Sequence, residues 1–347
     1  MQYRTKKRLT SKLRRAIRWE FWPMSVFYIP VVVYIVFLTL RHRGLLFLSV
    51  NPGLPMSGLI GERKAQTLAQ LKGSKFLARF EVIEPNDSVD QRVQNAEQIM
   101  ALLEVEFPVV LKPDFGQRGQ DVAVIRSSLA MRDYLANTTG SVLLQEHVAG
   151  EEYGVFYMCY PQEQRAQLFS ITEKTFPTIE GDGQRTFEEL LMDNSRTHYM
   201  AEFLLKLHAD KLTTVLAAGE QFKVVEIGSH CRGAVFLDGN RLITEDLARE
   251  VHSLSESIDG FYFGRYDIRV PSSEDFQAGQ HFKVLEVNGV TSESTNIYDP
   301  SHSVIDAYKI LFTQWRAAFE IGKQSINLGA QRVSLLELFA HLRKTYG

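Results

Sequence analysis

The sequence predicts a mixed α/β (α+β) fold with room for roughly two or three domains. Its 347 residues suffice for a large core. Runs rich in β-branched and aromatic residues alternate with segments whose apolar residues recur at helical spacing, an order unlike that of a bundle or a sandwich. Near the C-terminal end, GRYDIRV (264–270) and KVLEVNG (283–289) set polar residues at every second position, as half-buried strands do.

The N-terminal region is compositionally distinct. Residues 1–20 hold eight Lys and Arg against one acid, Glu20, although the whole chain carries a net charge of −2. A basic arm before an acidic body predicts attraction to an anionic surface. No aromatic-interleaved basic patch follows, which argues against nucleic acid as a partner. Residues 21–40, FWPMSVFYIPVVVYIVFLTL, are twenty positions without a charge, the length of a bilayer-spanning helix. Arg41 and Arg43 follow, and Trp19, Phe21 and Trp22 stand where interfacial aromatics lie. Pro23 and Pro30 interrupt helical hydrogen bonding. The expectation is therefore an apolar membrane-type segment, spanning or re-entrant, within 1–43. The alternative is a buried helix–strand pair in a soluble domain. Cys159 and Cys231 form no CxxC pair, which excludes a disulfide framework or a cysteine zinc site.

The body reads element by element. Residues 44–52 predict a strand, 62–72 a helix and 76–84 extended chain. Residues 88–104 space Val89, Val93, Ala96, Ile99 and Leu103 as a helix, with Ser88 as its cap. Residues 44–106 thus form a small α/β unit. FPVVLKP (107–113) predicts a buried strand, DFGQRGQDV (114–122) a glycine turn, and VAVI a further strand. A helix follows at 129–136, then strands at 143–148, 153–160, 165–171 and 222–227 in one sheet. Residues 186–210 are largely helical, opened by a Thr186/Glu189 capping box after an Asp182-Gly183 turn. Helices at 303–321 and 334–345 close the chain.

The candidate chemistry lies on these strands. Lys112 ends an apolar strand before a glycine turn, where it can meet a phosphate as a point charge while backbone amides surround other oxygens. The string GxxxxGK[ST] is absent, so this is no Walker loop. Gln145, Glu146, His147 and Val148 mark a strand end able to act as a hinge, with Glu152 beyond the turn. Alternation places Arg265 and Asp267 on one face of their strand, and Glu286 and Asn288 on one face of theirs. Two carboxylates and an amide oxygen suit Mg²⁺; the bland alternative is a hairpin with a solvated polar face. Arg232 lies between glycines in GSHCRG and can fork onto a carboxylate. Ser292, Glu293, Ser294 and Thr295 form a polar loop placed for a second substrate.

Taken in order, these motifs resemble the ATP-grasp superfamily, and within it the carboxylate–amine ligases of the D-alanine–D-alanine ligase type. The GDGQRTFEELL stretch is similar to the ATP-grasp part of cyanophycin synthetase and to bifunctional glutathione synthetases. The resemblance covers residues 62–300. It implies an ATP-grasp fold with a truncated N-terminal domain: a basic arm and apolar segment at 1–43, a small unit at 44–106, an ATP-grasp domain at 107–322 with its hinge near 145–152, and a C-terminal helix at 323–347. It implies ATP bound by Lys64, Lys112, Gln145, Glu146, His147, Val148, Glu152 and Lys174. Mg²⁺, or Mn²⁺, would be held by Asp267, Glu286 and Asn288, with Arg265 and Arg232 as catalytic residues. The implied activity is an ADP-forming ligase joining a carboxylate to an amine through an acyl phosphate, on small-molecule or lipid- or envelope-linked substrates, at the cytoplasmic face of a membrane. A phosphotransferase and a non-catalytic, membrane-anchored ATP-binding protein are the alternatives. The loop after Asn288 lacks a proline-glycine pair, so the resemblance does not extend to D-alanine as the substrate. Oligomeric state is left open.

Overall fold

Two antiparallel sheets face each other across a cleft, and the periodicity of their strands decides which side chains line it. The computed structural model describes residues 18–346 apart from 60, 62, 87, 117, 118, 195 and 196. In chain order the strands are β1 Phe80–Ile83, β2 Val109–Pro113, β3 Ala123–Ile125, β4 Val142–Glu146, β5 Glu151–Tyr160, β6 Arg165–Thr175, β7 Thr178–Glu180, β8 Gln221–Lys223, β9 Val235–Asp238, β10 Phe263–Val270 and β11 Lys283–Asn288. They form a four-stranded sheet in the order β1-β4-β2-β3, a five-stranded sheet in the order β11-β10-β5-β6-β9, and a separate β7-β8 pair.

The four-stranded sheet turns Val109 and Leu111 of β2 toward helices Val89–Leu102 and Ser128–Ala136, where they pack with Ile99 and Leu135. By alternation Val110 and Lys112 face the cleft. The helix caps are local and predictable: Ser88 Oγ accepts from Gln91 N at 3.3 Å, and Ser127 Oγ from Ala130 N at 3.2 Å.

β5 shows the design of the larger sheet. Tyr153, Val155, Tyr157 and Cys159 pack on Leu247, Val251 and Leu254 of helix Glu245–Glu256. The opposite face changes character along the strand. Phe156, Met158 and Tyr160 lie in an apolar cluster with Ala318 and Phe319 of helix Val304–Asn327. Glu152 and Gly154, on the same face, reach the cleft end. β10 repeats the pattern: Phe263 joins the apolar cluster, while Arg265, Asp267 and Arg269 line the cleft.

Three sequence expectations are corrected here. The first is the membrane-type segment. Residues 21–40 do not form one long helix. Their region holds a 3₁₀ turn Trp19–Phe21, a short helix Met24–Phe27 and a helix Ile29–His42. Pro23 caps one helix and Pro30 lies in the first turn of the next, positions where the missing N–H costs nothing. Phe27 and Val31 are buried against Ala307 and Leu311, and Leu38 packs with Ala318 and Phe319. Phe27, Val31 and Leu38 are thus spent on the protein's own core, while Trp22, Val26, Ile29, Val32, Val33, Val36, Phe37 and Leu40 stay exposed. Among the described residues, no helix is long and apolar enough to cross a membrane. The basic arm before Arg18 lies outside the described residues.

The second correction concerns residues 44–52, which form a 3₁₀ helix, Leu46–Ser49, rather than a strand. This helix sits so close beneath helix Val304–Asn327 that a Cβ on Gly322 would fall 2.0 Å from the Leu46 carbonyl oxygen. Asn51 then stands in for a strand partner: its Oδ1 accepts from Phe263 N at 2.9 Å and its Nδ2 donates to Phe263 O at 2.7 Å. The third concerns the strands read into one sheet: 143–148 is β4 of the four-stranded sheet, and 222–227 does not join the large sheet. β8 pairs only with β7, and the pair covers a small core of Phe187, Leu190 and Leu204. The Thr186/Glu189 capping box forms as expected.

The two faces of helix Ile29–His42 predict opposite responses to truncation. Leu38 is 3% exposed and Leu40 73%. Leu38→Ala is expected to lower unfolding free energy by about 2–4 kcal/mol, and Leu40→Ala to stay within about 0.5 kcal/mol of wild type, both by urea denaturation. Equal responses would mean that the segment does not pack as described.

Candidate active site

The cleft between the sheets has a volume of about 1020 Å³ and is lined from both sides. Lys112, 5% exposed, donates from Nζ to Gln145 Oε1 at 2.9 Å and to the Leu285 carbonyl at 3.0 Å. The second bond ties the four-stranded sheet to β11, directly beside Glu286. Burial pulls the Lys112 pKa below the ordinary lysine value, against the opposing attraction of Glu286. Lys64 begins helix Lys64–Ala69 and donates to Gly116 O at 2.5 Å, so it too lies on the cleft beside the glycine turn. Residues 117 and 118 of that turn are outside the described set.

Five charged side chains of alternating sign run across the floor. Arg269 meets Glu152 at 2.9 Å, Glu152 meets Lys174 at 3.0 Å, Lys174 meets Asp267 at 3.0 Å, and Asp267 meets Arg265 at 3.0 Å. The register explains the reach. Glu152 opposes Lys174 on β6 and Arg269 on β10, whereas Asp267 opposes Gly154. With no side chain at 154, Lys174 crosses β5 to Asp267. A second glycine fences the far side: a Cβ on Gly228 would lie 1.9 Å from Glu152 Oε1.

Burial penalises the charges of Asp267, Lys174 and Arg265, and the neighbours outweigh it. Asp267 would be raised by desolvation, yet Arg265 and Lys174 hold it below the usual carboxylate range. Lys174 would be lowered by desolvation, yet Asp267 and Glu152 bring it above the ordinary lysine value. Arg265 is likewise raised by Asp267 against its desolvation.

The cleft gathers most of the sequence-derived candidates. Lys64, Lys112, Gln145, Glu146, Val148, Glu152, Lys174, Arg265, Asp267, Glu286 and Asn288 all line it. His147 and Arg232 are not among its lining residues; His230, two positions before Arg232, takes that place. Glu146 is turned onto Arg79, accepting from its Nε at 2.7 Å. The Val148 carbonyl accepts from Arg269 Nη1 at 2.8 Å. Sequence reasoning passed over Arg269, although it shares the face of Arg265 and Asp267 in GRYDIRV and the same alternation finds it. It also missed Tyr28, which lies inside the segment read as membrane-associating.

The residues suited to a metal are paired by register, Asp267 with Glu286 and Arg265 with Asn288. Among the described residues, no group of three or more His, Cys, Asp and Glu side chains is arranged to hold a metal unaided. The donor set nonetheless fits a hard cation that takes one or two carboxylates and fills its shell with phosphate oxygens and water. Asn288 Nδ2 is buried without a hydrogen-bond partner, so the amide has polar capacity unspent within the protein.

The other end of the cleft is built by the N-terminal segment. Trp22, Met24 and Tyr28 line it, facing His230 and Tyr298. The Tyr28 hydroxyl donates to Glu293 Oε2, and the Tyr298 hydroxyl donates to Glu293 Oε1 at 3.0 Å. Arg265 donates from Nη1 to the Glu293 carbonyl at 3.1 Å, which joins this end to the charged floor.

The depressed Asp267 pKa sets a pH dependence. Its pairing stabilises the fold fully above the unfolded value, near about pH 4, and this contribution is lost as pH falls through the lower folded value. Asp267→Asn leaves Arg265 and Lys174 underpaired and is expected to cost about 3 kcal/mol at neutral pH. It should also flatten the loss of stability on acidification. Urea titrations of both proteins across the acidic range check this; parallel pH profiles would assign the acid sensitivity to other groups.

Against known proteins, the sequence profile of the RimK-like ATP-grasp domain matches residues 67–155. No curated protein matches the sequence. Solved structures with a similar trace include a bifunctional glutathione synthetase from Pasteurella multocida, 12% identical over 74% of this chain and 38% of that chain, with a TM-score of 0.36. A D-alanine–D-alanine ligase from Bacillus anthracis is 11% identical over 77% of this chain and 67% of that one, with a TM-score of 0.42. The VanG D-Ala:D-Ser ligase from Enterococcus faecalis is 10% identical over 74% and 61%, with a TM-score of 0.39. The chain therefore spans well under half of the glutathione synthetase. The RimK-like ATP-grasp match covers β1 to β4 and the start of β5.

Proposed function

We propose that this ATP-grasp-like chain is an ADP-forming ligase that joins a small-molecule carboxylate to an amine. The observation that carries the reading is the 3.0 Å bond from Lys112 to the Leu285 carbonyl. It sets a buried lysine of one sheet beside the Glu286/Asn288 strand of the other, around a single cleft. A lysine there supplies a point charge to a phosphate, and the apolar Val110 and Val124 beside Gln145 offer a slot for a base.

In this reading the nucleotide lies between the sheets, with its base toward Gln145–Val148 and its phosphates toward Lys64 and Lys112. Asp267, Glu286 and Asn288 would hold Mg²⁺, or Mn²⁺, which when bound with ATP draws charge off the phosphates. A substrate carboxylate oxygen attacks the γ-phosphorus, the bond to the β-phosphate oxygen breaks, and ADP leaves. The amine nitrogen then attacks the acyl carbon, the bond to phosphate breaks, and the nitrogen gives up its proton. Arg265 points its guanidinium into the cleft beside Asp267 and stabilises the oxyanion formed at that carbon, an electrostatic effect of the size that dominates acyl transfer. Lys174 and Arg269 hold the Glu152 carboxylate in place for a ribose hydroxyl.

The test is calorimetry with Mg²⁺ and a non-hydrolysable ATP analogue, followed by ADP release against pools of carboxylates and amines. Lys112→Ala is expected to weaken nucleotide binding at least about tenfold, the equivalent of about 1.4 kcal/mol. Glu286→Gln should abolish metal-dependent turnover. Nucleotide uptake indifferent to divalent metal overturns the reading. ADP release with a stable phosphorylated product, instead of free phosphate, replaces it with a phosphotransferase.

A further inference from the structure

The end of the cleft away from the nucleotide slot has a composition of its own. Glu293 projects toward it from the loop after β11, and both carboxylate oxygens accept from tyrosine hydroxyls, Tyr28 on one side and Tyr298 on the other. Phenol hydroxyls are neutral donors: they fix the carboxylate without cancelling its charge. A carboxylate oxygen has two acceptor sites, so each keeps capacity for a further donor. The other carboxylate at this end, Glu20, is already matched by Arg18 at 3.3 Å and by His230 at 3.3 Å. Negative charge facing the cleft here is therefore concentrated on Glu293.

The walls are aromatic and apolar. Trp22 and Met24 come from the N-terminal segment, and Tyr298 stacks on His230 with ring centroids 4.6 Å apart. The Tyr298 hydroxyl also lies 3.8 Å from Met24 Sδ, so the two walls touch behind Glu293. A fixed carboxylate on an apolar wall is the chemistry that recognises an ammonium group through a charged hydrogen bond, while the Tyr298 ring is itself held by stacking with Trp19 and His230. The Glu293 backbone carbonyl accepts from Arg265, so a group seated on Glu293 lies one residue's width from the guanidinium assigned to the oxyanion.

We infer that Glu293, held by Tyr28 and Tyr298, is the subsite for the amine substrate, and that this substrate carries its amino group as ammonium on an apolar or aromatic body. The inference rests on the ligase reading for the identity of the second substrate. The N-terminal segment thereby acquires a role as a wall of the acceptor site.

The experiment uses the full chain and two probes of one shape, 2-phenylethylamine and 2-phenylethanol. Binding of each is followed by calorimetry or ligand-observed NMR with Mg·ADP present. The amine is expected to bind wild type at least about tenfold more tightly than the alcohol. Glu293→Gln should erase that difference while leaving alcohol binding and the Mg·ADP dissociation constant within about twofold. Tyr298→Phe, which removes one hydroxyl and keeps the ring, should reduce the preference about threefold, and it serves if Glu293→Gln does not fold. Equal binding of the two probes by wild type, an amine preference that survives Glu293→Gln, or one left undiminished by Tyr298→Phe, overturns the subsite. A wild-type protein that takes up no Mg·ADP overturns the ligase reading instead, and amine binding measured without nucleotide still decides the subsite.

Discussion

The alternating row Arg269–Glu152–Lys174–Asp267–Arg265 is the interaction on which the site depends. Taking charges out of water costs several kcal/mol for each ion, and mutual attraction offsets this only where geometry is good and partners are complete. Here each anion has a cation on either side. Three cations against two anions leave the row itself with a positive surplus, which Glu286 beside it offsets. The same row fixes three strands relative to one another, because its members come from β5, β6 and β10. Stability and electrostatic preparation of the site are thus one arrangement.

The surrounding fold works by dividing single strand faces into two regions. On β5 and β10 the face that carries Glu152, Asp267 and Arg269 at one end carries Phe156 and Phe263 at the other. Helix Val304–Asn327 covers the apolar end and leaves the charged end to the cleft. Lys112 completes the enclosure from the opposite sheet by donating to a main-chain carbonyl of β11, a bond that does not depend on which side chain stands at 285. The N-terminal segment closes the remaining end with aromatic rings.

How much of this could be read from the sequence follows from the range of each interaction. Strand faces have a period of two, so the Arg265/Asp267 and Glu286/Asn288 faces and their pairing were visible in two short strings. Ser88 and Thr186 act within three residues of themselves, and both caps were visible too. Arg269 lies on the same face by the same alternation. The spanning helix expected over 21–40 does not form, for a deeper reason. Hydropathy counts apolar residues but cannot say whether lipid or protein covers them, and the cover for Phe27, Val31 and Leu38 lies on a helix nearly three hundred residues away. The bond from Tyr28 to Glu293 joins positions 265 apart and leaves no local trace. The same holds for β8, whose choice of β7 over the large sheet is a long-range outcome.

The bare position at Gly154 has a consequence for how the chain assembles. Because Lys174 must pass over it to reach Asp267, only one alignment of β6, β5 and β10 satisfies every ion. Sliding one strand by a single residue would drive carboxylates and guanidinium groups into the packed hydrocarbon beneath. Sliding β5 by two would keep the faces but put Phe156 or Glu152 in the gap at Gly154 and block the lysine's path. Misthreaded sheets are thereby penalised, and the ions select the register of the strands that carry them.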